Sequence, residues 1–207
     1  MAITWNIHAP EVRAHYARLT DPAYAREPFK YVLQMRIDLP DDDWPLWRRL
    51  HVPENYTLWD LYVAINSAID WDPTDDPKFI VVQHETFEKI AVRGDCLWEH
   101  PIESYFSLEH PRSVCEIGSF EMHIKMEAVL PRVADIRYPF SINGAGQCIP
   151  DRYLKDGTPV FDTFDPSSVV FDDPDDKWIQ VFCDLAFAGG KANPPRSRGR
   201  KNSGEAT

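Results

Sequence analysis

Tyr31-Val32-Leu33-Gln34-Met35-Arg36-Ile37-Asp38-Leu39 is the stretch whose reading decides the fold. Apolar Tyr31, Leu33, Met35, Ile37 and Leu39 alternate with Val32, Gln34, Arg36 and Asp38, and a period of two puts one set on a buried face and the other on a wet one. Working outward, Pro40-Asp41-Asp42-Asp43 has turn chemistry, and Leu46 to Val52 reads as a return strand carrying Trp47-Arg48-Arg49. The pair predicts a hairpin. Leu58, Leu61, Ile65 and Ile69 then recur at helical spacing, and Thr57 followed by Asp60 predicts a capping box.

The same logic extends to both ends. Phe79–Gln83 and Phe87–Val92 predict a second hairpin, and Phe120 to Ala128 a long strand with one wet face. Asn143-Gly144-Ala145-Gly146 reads as a loop. Asp173 with Pro174 predicts the start of a helix whose Trp178, Val181, Phe182 and Leu185 face the core. Near the N-terminus, Pro10 opens a short helix with Val12, Tyr16 and Leu19 on one side. The expected organisation is an α+β single domain, a mainly antiparallel sheet packed with a few helices. An N-terminal arm covers residues 1–28, the domain 29–188, and a disordered basic tail 189–207.

Composition limits function. Of 207 residues, 43% are apolar and 13% aromatic, enough to build a core. The formal charge is −11, yet residues 189–207 carry Lys191, Arg196, Arg198, Arg200 and Lys201 against Glu205 alone, so the body is more acidic than the whole. Such a body repels phosphate backbones, which disfavours nucleic acid as its partner. No run approaches the ~20 apolar residues of a membrane span, and the first twenty residues lack signal-peptide character, so the expected setting is cytoplasmic with no membrane contact. Cys96, Cys115, Cys148 and Cys183 are scattered without a C-x-x-C, which predicts free thiols, and no motif demands a cofactor.

Taken together, these elements resemble the plasmid pRiA4b ORF-3-like family, also labelled insertion-sequence passenger proteins. The words that carry the resemblance are Tyr31-Val32-Leu33-Gln34-Met35, Pro45 to Leu50 with Val52-Pro53, Thr57-Leu58 with Leu61 and Ile65, and Trp71 with Phe79. Gly118, Ile124 to Pro131, Tyr138-Pro139, Cys148-Ile149-Pro150-Asp151 and Phe164-Asp165-Pro166 extend it to about Trp178. The resemblance implies a compact α+β domain of unestablished activity, associated with mobile elements. It also exposes departures. Where the family has an acidic-Phe-Gly-Asp-x-Trp-x-His word, this chain from Glu116 onward has Ser119 and Glu121 at the Asp and Trp positions. Tyr62 stands at a usual His, Asp75-Asp76-Pro77 replaces a His-Leu-His, and Arg152 replaces an acid after Asp151.

The candidate site residues are therefore Glu116, His123, Cys148 and Asp151, whose carboxylate, imidazole and thiolate groups are all metal-ligand or acid-base types. On one regular strand Glu116 and His123, seven apart, face opposite sides. Arg48 and Arg49 are candidate anion or partner contacts, also expected on opposite faces, with Trp47 in the core. Ser119 near His123 fits no nucleophile elbow, and Asp172 to Asp176 lacks the spacing of a calcium loop. The reading is an uncharacterised, non-enzymatic interaction or accessory protein that takes a protein or peptide partner and uses no metal. The alternatives are a metal-dependent hydrolase or small-ligand-binding enzyme, and, more distantly, a nucleic-acid-associated regulator.

Overall fold

The computed structural model describes residues 5–39, 46–71, 77–82, 86, 88–117, 120–146 and 164–187. Seven antiparallel strands form one sheet. They are β1 (Tyr31–Leu39), β2 (Leu46–Pro53), β3 (Pro77–Val82), β4 (Lys89–Arg93), β5 (Arg112–Ile117), β6 (Phe120–Pro131) and β7 (Phe140–Ala145), in the order β4-β3-β5-β6-β1-β2-β7. Three α-helices, α1 (Pro10–Leu19), α2 (Leu58–Ile69) and α3 (Pro174–Phe187), complete an α+β domain.

Both predicted hairpins form, with Arg36 opposite Arg49 and Ile80 opposite Ala91. The helical period of residues 58–69 is also realised. Thr57 Oγ1 accepts from the Asp60 backbone N–H, and Asp60 Oδ2 accepts from that of Thr57, so two orphan donors of the first turn are satisfied reciprocally. Almost every side chain of α2 is buried, because β2 lies against it on one side and α3 and the Leu97–Glu99 turn on others. The 97–106 segment contains two short 3₁₀ turns, Leu97–Glu99 and Ile102–Ser104. It is pinned to the start of α2 by the Leu58 N–H donating to His100 O and the Ile102 N–H donating to Tyr56 O, each 2.8 Å.

The first residues belong to the core. Trp5 is only 5% exposed and packs within 5.0–5.4 Å of the rings of Trp59, Trp98 and Trp178. Arg26 locks the same corner, its guanidinium reaching Asp60 at 2.9 Å and Asp175 at 2.5 Å. Asp173 caps α3 through Oδ1, which accepts from the backbone of Asp175.

Three expectations are corrected. Residues 116–122 do not lie on one strand: β5 ends at Ile117 and β6 begins at Phe120, with Glu116 opposite Glu121. Asn143, Gly144 and Ala145 are the end of β7 and not a loop. A Cβ at Gly144 would lie 2.6 Å from the Phe164 ring and 2.8 Å from Trp47 O, so glycine marks a close approach within a strand. Finally, Trp47 is half-exposed and Arg48 is the buried member of the pair, 4% accessible. The expected tail, together with Cys148, Asp151, Arg152, Ser119 and Gly118, lies outside the described residues.

Candidate functional site

Alternation gives the sheet two unlike faces. Leu33, Met35, Ile37, Leu46, Leu50, Val52, Phe79, Cys115, Met122, Ile124 and Met126 point into the core. The opposite face carries Gln34, Arg36, Asp38, Trp47, Arg49, His51, Val114, Glu116, His123, Lys125 and Glu127, all half-buried or exposed.

Strand register aligns cations on this open face. Arg49 lies opposite Arg36, Arg36 opposite Lys125, and Lys125 opposite Arg112, giving one row across β2, β1, β6 and β5. With strands about 4.8 Å apart the row is roughly 15 Å long. Like charges directly opposite one another repel, so the row is tolerated only with compensation. Asp38 accepts from Arg36 at 2.7–3.0 Å. A register shift at Gln34/Met35 lets Glu127 accept from Arg49 at 2.6 and 3.0 Å and from Gln34 at 2.8 Å. The Arg49 hydrogen bond is the main cause that holds the Glu127 carboxyl below its ordinary pKa, against partial desolvation. The Trp47 ring receives both guanidiniums, with Arg36 at 4.6 Å and Arg49 at 5.4 Å from its centre. Lys125 and Arg112 make no ion pair with a described residue. They line a trough of about 480 Å³ together with Ile80, Val82, Val114, Lys89 and His123.

Of the sequence candidates, Glu116 and His123 come to the same open face, contrary to expectation, because the chain reverses between them. They do not meet. Glu116 pairs with Lys78 Nζ at 2.6 Å and His123 Nε2 lies 2.9 Å from Glu121. Among the described residues no three His, Cys, Asp or Glu side chains gather as metal ligands would. Cys148 and Asp151 lie outside the described residues. Arg49 faces outward in the cationic row. Arg48 faces the helices: Nε donates to Ala68 O at 2.8 Å, Nη1 to Trp47 O at 2.9 Å and Ala145 O at 2.8 Å, and the Phe164 ring covers it at 3.9 Å. Ala68 supplies one of the last carbonyls of α2, where the helix dipole favours a cation. Arg48 thus ties α2, β7 and the Phe164 segment together, and Arg36, Lys125 and Arg112 are the members of the row that sequence reasoning did not single out.

Residues 31–112 match the sequence pattern of the family described as Plasmid pRiA4b ORF-3-like protein, the first part of the stretch that carries the resemblance. The fold is similar to the crystal structure of a protein of unknown function from Methanosarcina mazei Go1, at a TM-score of 0.64 and 22% identity, covering 70% of this chain and 100% of that one. No curated protein matches the chain. Among the described residues no helix is long and apolar enough to cross a membrane.

Proposed function

We propose that this pRiA4b ORF-3-like chain is a non-enzymatic binding module whose open sheet face receives an acidic segment of a partner protein. The observation that carries the reading is the register-aligned row Arg49, Arg36, Lys125 and Arg112 around half-exposed Trp47, on a chain whose net charge is −11. Trp and Arg are the residue types that dominate binding energy at interfaces, and a planar guanidinium matches a carboxylate in paired geometry. Two of the four cations are already paired with Asp38 and Glu127. The uncommitted charge suits a few carboxylates better than a long run of phosphates, which the acidic body would also repel. Glu116 and His123 serve in this reading as polar members of the same face. The unbridged thiols of Cys115 and Cys183 suit a cytoplasmic setting, and a link to mobile elements rests on the family resemblance alone.

The test is fluorescence anisotropy with a labelled glutamate-rich decapeptide, titrated at low and at moderate salt. Saturable binding that weakens with salt, and falls by about tenfold or more in a Lys125→Glu/Arg112→Glu chain, is the expected result. Indifference to the double substitution sinks the reading. Tighter binding of a single-stranded oligonucleotide than of the peptide also sinks it, in favour of a nucleic-acid-associated role.

A further inference from the structure

A second concavity lies at the end of the sheet, away from the cationic row. The arm around Phe29, the turn before α2 at Tyr56, the β6–β7 connection and the segment leading into α3 enclose a cleft of about 590 Å³. That size falls within the usual range for small-ligand sites. Its walls include the rings of Phe29, Tyr56, Tyr138 and Phe171.

Two further observations give the cleft chemical character. Ser141 lies in its wall and is 1% exposed, yet its Oγ has no hydrogen-bond partner. A buried hydroxyl left unpaired is destabilising, so such a group calls for a partner that the described residues do not supply. The second is the charge balance of the wall. Arg26 is held by Asp60 and Asp175, Asp172 by Lys177, and Asp173 caps α3. Glu27, Asp173, Arg132 and Arg137 have no ion-pair partner among the described residues, two cations and two anions, and of the two anions Asp173 already spends an oxygen on the α3 backbone. Arg132 is oriented over the Phe29 ring at 4.7 Å, which places a guanidinium beside an aromatic wall.

We infer that this cleft binds a small organic anion with an aromatic or other flat apolar body. The carboxylate or phosphate engages Arg132 and Arg137, the body lies among the rings, and Ser141 Oγ completes its hydrogen bonding to the ligand. Such a site is independent of the open face: the cationic row belongs to the middle of the sheet and shares no residue with the cleft.

Amide shift mapping by NMR on the full chain, with phenyl phosphate and phenylacetate as probes and inorganic phosphate as the comparator, tests the site. The expected result is saturable shifts at Phe29, Tyr138, Ser141 and Phe171 with either aromatic anion, weaker by about tenfold with inorganic phosphate. The exposed-site double substitution Arg132→Glu/Arg137→Glu should lower affinity by about tenfold or more, and Ser141→Ala by about threefold or more. Lys125→Glu/Arg112→Glu should leave it unchanged, which separates this site from the peptide-binding face. No saturation by about 10 mM, shifts that map elsewhere, or unchanged affinity in the Arg132/Arg137 double variant would each overturn the inference.

Discussion

Arg48 and Arg49 are neighbours in sequence and opposites in energetics. Arg49 sits on the open face, with solvent around it and an ion pair to Glu127, and exposed pairs of this kind contribute little. Arg48 is buried and donates to the carbonyls of Trp47, Ala68 and Ala145, so its removal breaks three charge-assisted hydrogen bonds and strands the buried Ala68 acceptor. Urea denaturation should therefore find Arg49→Ala costing at most about 1 kcal/mol and Arg48→Ala about 3 kcal/mol or more. Arg48→Lys should recover little, because one ammonium cannot span three carbonyls arranged around a planar fork. Equal costs for the two alanine variants would mean that the buried network does not form. That the two point apart is legible in the sequence, since adjacent strand residues always do. Which of them is buried is not, because the acceptors that tolerate a buried guanidinium come from residues 20 and 97 positions away.

Elements were legible where one segment carried its own pattern, as in β1, α2 and its capping box, and α3. They were illegible where the pattern was short. Arg112–Ile117 has only three inward residues, Ser113, Cys115 and Ile117, and one is a serine whose hydroxyl is satisfied by Ile80 O across the sheet. β7 was hidden by Gly144, a turn signal in sequence and a packing requirement beneath Phe164 in the fold. α1 gains a property from its neighbours that its sequence does not announce. His15 packs against the rings of Trp98 and Trp178, and Arg18 Nη2 lies 2.9 Å from its Nδ1. Burial, then the charges of Arg18 and Arg26, lower its pKa from 6.5 to about 4. Between those values the unfolded chain takes up a proton that the folded chain refuses, so stability falls as pH drops from 6.5 towards 4. Glu127, with its pKa held below 4.5, begins to lose its stabilising contribution only as pH falls through about 4.5, so above that pH the decline is free of Glu127. Thermal melts of a His15→Phe chain should show a flatter decline than wild type between pH 6.5 and about 4.5, with near-ultraviolet circular dichroism reporting the tryptophans. An unchanged slope would show that His15 titrates normally.

For the whole molecule, fold class followed from the strand and helix periods, whereas the open-face site did not. Arg36, Arg49 and Lys125 each occupy outward positions of strands that the alternation predicts, but their alignment depends on strand order and register, which are set by contacts between segments up to about 90 residues apart. Glu116 and His123 illustrate the same limit from the other side, since a single reversal of the chain moved them from opposite faces to one. The termini bring the lesson to a test. Sequence reading treats residues 1–28 as an arm that packs on the domain or frays and 189–207 as a removable tail, and Trp5, Val12 and Leu19 of the arm are buried with the core. Burying a large apolar side chain is worth about 1.5–3 kcal/mol, so three of them outweigh the cost of ordering only if the helix that carries them docks as a unit. The Arg26 bridge to Asp60 and Asp175 and the tryptophan cluster supply that docking. Deleting residues 1–28 should therefore lower the melting midpoint by about 10 °C or more, or prevent folding, whereas ending the chain at residue 188 should change it by no more than about 2 °C, given that 1 kcal/mol shifts a chain of this size by roughly 2–4 °C. A single Trp5→Ala chain guards against an outright folding failure in the deletion. It should still fold and melt about 5 °C or more below wild type, because it opens a cavity among three rings. If Trp5→Ala melts with wild type, the N-terminal arm adds nothing to the fold, and the tryptophan cluster owes its stability to Trp59, Trp98 and Trp178 alone.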